Sequence, residues 1–173
     1  MSFDDLFSQA LTGARRTACH LEQRDVYALA DTHRASYEAF TGSGVVDAGF
    51  LAPWADTVYA AVGRGVEFRR LRIVSEPLSD YLKWEHALTG ANLDAGEEVR
   101  WLSRRTCPAV AVVPFDFWVF DSATVLVNHF AGDGSWPEPS AEIRTDPALV
   151  KLVTESFEAA WSQGVPHGAY NPL

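Results

Sequence analysis

The sequence predicts one α/β domain that spans residues 1–173, in which helices flank a mixed β-sheet. The chain has 173 residues, of which 47% are apolar, so it can bury roughly 70% of its unfolded surface in one core. Residues 66–102 show a strand, helix and strand pattern, which is typical of a parallel βαβ unit. Residues 117–130 contain two apolar stretches around a turn, which indicates an antiparallel hairpin. A parallel unit and an antiparallel unit together predict a mixed sheet.

The first residues predict a short amphipathic helix followed by a strand. Ser2 and Asp5 have the spacing of a capping box, and apolar side chains then recur at three- and four-residue steps up to Gly13. Apolar and polar residues alternate from Thr17, and the strand pattern continues as far as Tyr27.

Two further helices are expected before the centre of the chain. Asp31 or Thr32 can cap the first of them, which ends near the glycines of 42–44. Pro53 can open the second, over 54–64, because proline fits the first turn of a helix without losing a hydrogen bond.

The centre of the chain carries the βαβ pattern. Residues 66–74 are rich in β-branched and long side chains and predict a strand. Apolar residues at helical spacing then predict a helix over 78–90, with Ser75 as its candidate N-cap. Residues 98–102 predict the second strand.

The next segment predicts a hairpin and an edge strand. Residues 117–120 and 125–130 are apolar, and the residues between them, 121–124, include an Asp and a Ser that favour a turn. Residues 141–144 predict a short strand at the edge of the sheet.

The last helix has a clear start and end. Asp146 followed by Pro147 favours a helix start, and apolar residues recur at helical spacing until Gly164. The tail from about residue 165 to residue 173 is expected to be irregular.

Net charge argues against one class of partner. The chain carries 14 Lys and Arg against 23 Asp and Glu, for a formal charge of −9, and an acidic protein repels a phosphate backbone. We therefore expect no direct nucleic acid binding, although arginine clusters at 15–16, 69–72 and 104–105 could form a local basic patch.

The cysteine, histidine and hydropathy patterns predict an intracellular protein without a metal or a cofactor. Cys19 and Cys107 lack metal-binding spacing and are expected to be buried free thiols. The five histidines show no ligand spacing, and no Gly-rich phosphate loop is present, so no metal and no cofactor are expected. Without a signal peptide or a long apolar run, we expect a cytoplasmic protein that does not enter membranes.

Four segments carry a resemblance to a known family. Residues 21–27, 72–81, 95–102 and 116–121 resemble an actinobacterial family of unknown function whose members are similar in length to this chain. The Ser-Glu-Pro-Leu-Ser-Asp-Tyr string at 75–81 is the most specific of these matches. Genes of this family often lie beside helix-turn-helix regulators, so the resemblance implies a regulatory or accessory role.

A more distant similarity is to the phospholipase D-like α/β fold. Aligning the conserved aspartate of that fold with Asp121 places Pro114 where the nucleophilic histidine stands and Asp116 where the lysine stands. The resemblance thus implies one half of a phospholipase D-like fold. Neither residue can serve phosphodiester hydrolysis, which needs a nucleophile and a cationic group.

The corner after the first central strand is the predicted ligand site, because α/β sheets bind ligands at the carboxyl ends of their strands. An acid at this corner, Glu76, favours a cationic or hydroxylated ligand over an anion. The alternative is a structural corner, with Ser75 as a helix cap and Tyr81 in the core. The candidate ligand-binding residues are Arg24, Arg72, Ser75, Glu76, Tyr81, Trp84 and Glu85.

A group of ion pairs is expected nearby. Glu22, Arg24 and Arg72 converge if the first strand lies beside residues 66–74, and they would then either line a pocket or form a buried structural network. If the protein is an enzyme, the candidate catalytic residues are Glu76, Asp116, Asp121 and His129. For two of these the simpler interpretation is structural, because Asp121 suits a hairpin turn and a lone strand histidine such as His129 usually finds a hydrogen-bond partner.

The sequence favours a non-catalytic binding protein. It is expected to dock to a helix-turn-helix transcription regulator or to sense a small-molecule ligand in the cleft at the 75–81 corner, and an acidic surface suits a basic partner. The alternative is a small-molecule enzyme of secondary metabolism that uses a carboxylate and histidine acid–base pair. Trp136, in a loop, is the tryptophan expected to be exposed.

Overall fold

The computed structural model describes residues 2–106 and 111–172. Within these ranges it has five α-helices and seven strands. The helices are α1 (Phe3–Gly13), α2 (Asp31–Ser43), α3 (Ala52–Val62), α4 (Asp80–Asp94) and α5 (Pro147–Gln163). The strands are β1 (Thr17–Glu22), β2 (Glu67–Val74), β3 (Glu97–Ser103), β4 (Asp116–Phe120), β5 (Thr124–Asn128), β6 (Ala141–Arg144) and β7 (Val165–Pro166).

All seven strands form one mixed sheet in the order β6-β5-β4-β1-β2-β3-β7. Strands β1, β2 and β3 are parallel, whereas β4, β5, β6 and β7 pair antiparallel with their neighbours. The predicted single α/β domain, its βαβ unit, its hairpin and its edge strand are therefore confirmed.

The two faces of the sheet differ in polarity. Side chains alternate between the faces along each strand. The face under α5 is apolar, with a core that includes Leu21, Leu71, Phe117, Val153 and Phe157. The opposite face, under α1, α3 and α4, has one apolar cluster around Phe68 and Trp118 and another around Val99 and Trp101. Between these two clusters lies a strip of charged side chains.

Helix starts were predicted with mixed success. The capping box at Ser2 and Asp5 is present, so the start of α1 is confirmed. The predicted caps of α2 were wrong: Ala30 holds the N-cap position and makes no side-chain hydrogen bond, while Asp31 already lies in the first turn. Asp is favoured both at the N-cap and in the first turn of a helix, so the sequence pattern alone does not separate these two positions.

The start of α4 also differs from the prediction. Ser79, not Ser75, caps the helix, because its Oγ accepts a hydrogen bond from the backbone N–H of Leu82 at 3.1 Å. Ser75 is engaged elsewhere, since its backbone N–H and its hydroxyl both donate to the carboxylate of Asp25, at 2.8 and 2.7 Å. The helix also continues past Gly90 to Asp94.

The first strand is shorter than predicted. It ends at Glu22 rather than continuing to Tyr27, and the next backbone N–H, of Gln23, donates to the side chain of Asp116 at 3.0 Å instead of to a strand. The hydrogen bond to Asp116, which is 93 residues away, thus ends the strand although the strand pattern of the sequence continues.

The prediction of an irregular tail was wrong. Val165 and Pro166 pair with β3, and a 3₁₀ turn follows over His167–Ala169. Tyr170 then stacks on Trp101, with ring centroids 5.3 Å apart and planes inclined by 7°. These partners are more than sixty residues distant in sequence, so no local pattern reveals them.

Two other expectations concern thiols and membranes. Cys19 is a buried free thiol, as predicted, and burial raises its pKa to about 11; Cys107 lies outside the described residues. None of the helices in the described ranges combines the length and the apolar character needed to cross a bilayer.

Candidate functional site

An open cavity of about 640 Å³ lies on the charged face of the sheet. It sits at the carboxyl ends of β1 and β2, between α1, α3 and α4, which is where parallel strands of α/β proteins commonly bind ligands. Its size falls within the roughly 300–1,000 Å³ that is typical of small-molecule sites. The cavity is therefore the strongest candidate site among the described residues.

The floor of the cavity is formed by a buried ion-pair network, which we call the charged strip (Glu22, Arg70, Arg72 and Glu97, with Glu85 of α4). All of its members except the fully buried Glu97 line the cavity. Parallel pairing sets Glu22 beside Arg72 in register, and Glu22 Oε2 lies 2.7 Å from Arg72 Nε. Arg70 Nη1 donates to Glu22 Oε1 at 2.6 Å. One carboxylate thus contacts both guanidinium groups.

The other two carboxylates complete the network. Arg70 Nε donates to Glu97 Oε1 at 2.7 Å, and Asn92 donates to the second oxygen of Glu97 at 2.8 Å. On the other side, Arg72 Nη2 lies 2.8 Å from Glu85 Oε2. The charged strip therefore sets three carboxylates against two guanidinium groups.

Aromatic rings hold the arginines in place. The Arg70 guanidinium lies over Trp54 and Trp118, 5.5 and 5.8 Å from their centroids, and that of Arg72 lies 5.3 Å from the centroid of Trp101. Such cation–π contacts are strongest for guanidinium groups that are shielded from water, so the rings help to hold both charges in place.

Burial and charge shift the pKa values of the strip in opposite directions. Burial alone would raise the pKa of Glu22, but Arg72 and Arg70 outweigh it and lower this pKa to about 2. Burial also lowers the pKa of His20, which stacks on Trp118 in the cavity floor, to about 3, despite the opposing effect of Glu22. At neutral pH the floor thus combines an ionised Glu22 with an uncharged imidazole.

Asp116 lies at the end of the floor next to the aromatic side of the cavity. Its carboxylate accepts hydrogen bonds from the hydroxyl of Tyr27 and from the backbone N–H of Gln23. Burial, reinforced by the charge of Glu22, raises its pKa from 3.8 to about 6, against the lowering effect of the two hydrogen bonds and of Arg24. Asp116 is consequently an acid that changes charge close to neutral pH.

This raised pKa predicts a pH-dependent effect of Asp116→Asn on stability. The folded protein keeps a proton that the unfolded chain loses between pH 3.8 and about 6, so Asp116 contributes less to stability as pH rises. The free energy of unfolding of the wild type, relative to Asp116→Asn, should fall by roughly 2 kcal/mol from about pH 4 to about pH 7. Urea titrations across this range measure the difference, and a flat difference would contradict the shifted pKa.

Aromatic side chains form one side of the cavity, which we call the aromatic wall (Tyr27, Tyr81, Phe130 and Trp136). Ring centroids are 5.9 Å apart between Tyr27 and Tyr81, 5.1 Å between Tyr27 and Phe130, and 4.4 Å between Phe130 and Trp136. Trp136 is exposed, as predicted. The wall is continuous, and Asp116 reaches it through the hydroxyl of Tyr27.

Four of the predicted site residues line this cavity: Arg72, Tyr81, Glu85 and Asp116. The Tyr81 hydroxyl donates to Glu85 at 2.8 Å, one helical turn away as expected from their spacing. The predicted pairing of Glu22 with Arg72 is present, because β1 does lie beside β2. Together with Glu22, these residues converge from four different elements, β1, β2, α4 and β4.

The corner itself does not line the cavity. Ser75 is bound to Asp25, and the Glu76 carboxylate accepts hydrogen bonds from the hydroxyls of Ser103 and Tyr170, at 2.7 and 2.8 Å. These hydrogen bonds lower the pKa of Glu76. The corner therefore connects β3 and the tail, and the cavity lies beside it rather than at it.

The remaining predicted residues also lie outside the cavity. Arg24 donates to the carbonyl of Gly132 and lies over Phe130, and Trp84 is buried, with its indole N–H on Ser36. Asp121 accepts hydrogen bonds from three backbone N–H groups at the start of β1, at the turn between β4 and β5. His129 is half exposed and lies 4.0 Å from Glu142.

Several cavity residues were missed by sequence reasoning. Arg70 is two residues from Arg72 in β2, and this spacing places both side chains on one face, so a period-two count would have found it. The same spacing relates His20 to Glu22 in β1. Tyr27 carries no such signal, because it lies beyond the end of β1.

Comparisons with known proteins give one family and a distant structural likeness. A family model described as "Domain of unknown function (DUF6879)" matches residues 4–172. No curated protein matches the chain. Among solved structures, TrmBL2, an archaeal chromatin protein described as showing a novel mode of DNA binding, is similar at 16% identity with a TM-score of 0.48. The match covers 92% of this chain and 48% of that one, so this chain spans about half of its length.

One expectation is corrected. We expected no direct nucleic acid binding on the ground of net charge, whereas a solved structure similar to this chain is described as showing a mode of DNA binding. Net charge averages over the whole surface, and it does not describe any one face. We therefore withdraw the exclusion.

Proposed function

The chain belongs to the DUF6879 family of unknown function, and from its site we propose that the protein binds a small organic ligand in the cavity above the charged strip. The family assigns no activity, so the proposal depends on the site alone. Sensing of such a ligand is one of the two binding roles that the sequence predicts, the other being docking to a partner protein. Docking to a helix-turn-helix regulator, a cytoplasmic location, the actinobacterial origin and the phospholipase D-like relationship remain predictions.

The observation that carries the proposal is the position of the charged strip. Buried ion pairs cost desolvation energy, and apolar side chains of similar volume would often stabilise a fold equally well. In this protein the pairs form the floor of an open cavity, with aromatic rings at its side. A few polar groups below an aromatic wall are the usual composition of a ligand site.

Ligand binding should be detectable through stability and should depend on access to the cavity. A screen of organic metabolites by thermal unfolding should yield a compound that, at 100 times its Kd, stabilises the fold by about 2.7 kcal/mol. This corresponds to a rise in Tm of roughly 5–10 °C. Ser8→Trp should abolish the rise, because Ser8 of α1 lines the cavity mouth.

The matched control is Gln9→Trp, which adds the same ring at the next, equally exposed position of α1 but outside the cavity. This variant should keep the full rise in Tm. The proposal fails if no metabolite stabilises the protein, or if the compounds that do so act equally on Ser8→Trp.

The second candidate function is an enzyme that acts on small molecules, and the raised pKa of Asp116 favours it. A general acid or base works best when its pKa is close to the working pH, and that of Asp116 is raised to about 6 inside the cavity. Its partner there is Tyr27 rather than His129. Consumption of a screened ligand by the wild type but not by Asp116→Asn would support this second function.

A further inference from the structure

The charges that a ligand can reach in this cavity are mainly negative. Side chains of Glu22 and Glu85 keep 16% and 20% of their surface exposed, whereas Arg70 and Arg72 keep 10% and 6%. Both guanidinium groups are also already paired with carboxylates, and the three carboxylates exceed them by one charge. A ligand thus meets carboxylate oxygens before it meets a cation.

Two guanidinium nitrogens of Arg72, Nε and Nη1, make no hydrogen bond among the described residues, although Nε lies 2.7 Å from Glu22 Oε2 in the ion pair. Nη1 is the nitrogen that lacks any partner within the described ranges; it is enclosed, and the guanidinium lies over the ring of Trp101. An anion would have to displace Arg72 from this ring and approach Glu22 and Glu85 at the same time. The free nitrogen therefore does not make the cavity an anion site.

The aromatic wall adds a second attraction for positive charge. Tyr27 contacts Asp116 through its hydroxyl, Phe130 packs against Tyr27, and the exposed Trp136 packs against Phe130. Aromatic faces attract ammonium groups, most strongly when water is excluded. The buried Oδ1 of Asn128, on the strand beside Asp116, has no hydrogen-bond donor within the described residues and offers another acceptor.

We propose that the ligand of this cavity carries a cationic nitrogen, a protonated amine or a quaternary ammonium, attached to a flat apolar body. The nitrogen lies between Asp116 and the carboxylates of Glu22 and Glu85, and the apolar body lies against the aromatic wall. This inference rests on the proposed function, since it names the chemical class of the ligand for the same cavity.

Three probes of similar size test the class. They are 2-phenylethylamine, a cation at neutral pH, 2-phenylethanol, which is uncharged, and phenylacetate, an anion. Calorimetric titration of the unmodified protein at about pH 7.5 should show the amine binding about tenfold more tightly than the alcohol, and phenylacetate binding most weakly. This ranking needs no variant, so it is independent of any folding defect.

A variant pair then assigns the preference to Asp116. Asp116→Asn should reduce the advantage of the amine over the alcohol to about threefold or less, because the carboxylate is lost while the wall remains. Asp31→Asn is the control, since its carboxylate is exposed and lies outside the cavity; this variant should keep the tenfold advantage.

The outcomes separate the two proposals. If the amine binds no better than the alcohol, the cationic class is wrong; if Ser8→Trp still blocks the alcohol, the cavity remains a ligand site. Tighter binding of phenylacetate would likewise overturn the class alone. If none of the probes binds, the class is also overturned, and the metabolite screen decides separately whether the cavity binds any ligand.

Discussion

Glu22→Ala is expected to destabilise the protein by roughly 3–5 kcal/mol, because removing one partner of a buried ion pair leaves the other charge uncompensated. Glu22 contacts both guanidinium groups of the charged strip, at 2.6 Å for Arg70 and 2.7 Å for Arg72. Arg72 then depends on Glu85 alone, and Arg70 on Glu97 alone. The loss is a large fraction of the roughly 5–15 kcal/mol that stabilises a typical domain.

Urea unfolding of Glu22→Ala and of its conservative partner Glu22→Gln measures this cost. Glu22→Gln retains a hydrogen-bond acceptor and should lose less stability. The control is Glu98→Ala, which removes the exposed pair with Arg100 and should change stability by about 1 kcal/mol or less. If Glu22→Ala costs no more than Glu98→Ala, the network does not stabilise the fold.

Trp118→Ala should also cost roughly 3–5 kcal/mol, the range for large aromatic side chains removed from a core. The buried indole stacks on His20 at 4.0 Å and packs edge-on against Phe7 at 5.0 Å. It also lies 5.8 Å from the guanidinium carbon of Arg70. Its removal therefore opens the floor of the cavity and releases one of the two rings that hold Arg70.

Phe157→Ala is the matched control, because Phe157 is equally buried but lies on the other face of the sheet, in the core under α5. Unfolding in urea at about 10 °C should show similar losses for both variants. Calorimetry on the folded proteins should show that Phe157→Ala keeps binding 2-phenylethylamine while Trp118→Ala binds it at least about tenfold more weakly. Equal binding by both would exclude Trp118 from the site.

Local patterns in the sequence predicted those elements that are governed by near neighbours. The capping box of α1, the turn at Asp121 and the Asp146 cap of α5 each depend on hydrogen bonds or backbone preferences within a few residues. Where a distant group competes, the same reasoning was wrong: Asp25 takes the hydrogen bonds of Ser75, and Ser79 caps α4 instead.

The candidate site could be predicted only in part, for a related reason. Glu22 and Arg72 were expected to pair because their strands were assumed to be neighbours in the sheet. The structure shows that β1 and β2 are neighbours and that the two side chains pair. The same assumption predicted that Arg24 joins this group. Arg24 instead lies beyond the end of β1 and donates a hydrogen bond to the carbonyl of Gly132. Beyond the end of a strand, the alternation of side chains no longer indicates on which face a residue lies.

By itself, the sequence determined the α/β class, the order of most elements and the acidic charge, since periodicity and composition depend on residues that are close along the chain. Only the tertiary structure decided where the cavity lies and which charges meet in it. Arg70 reaches Glu22 and Glu97 across 48 and 27 residues, and Tyr27 reaches Asp116 across 89. Such contacts are set by strand order, because a mixed sheet brings together side chains from segments that are distant along the chain and share no local pattern.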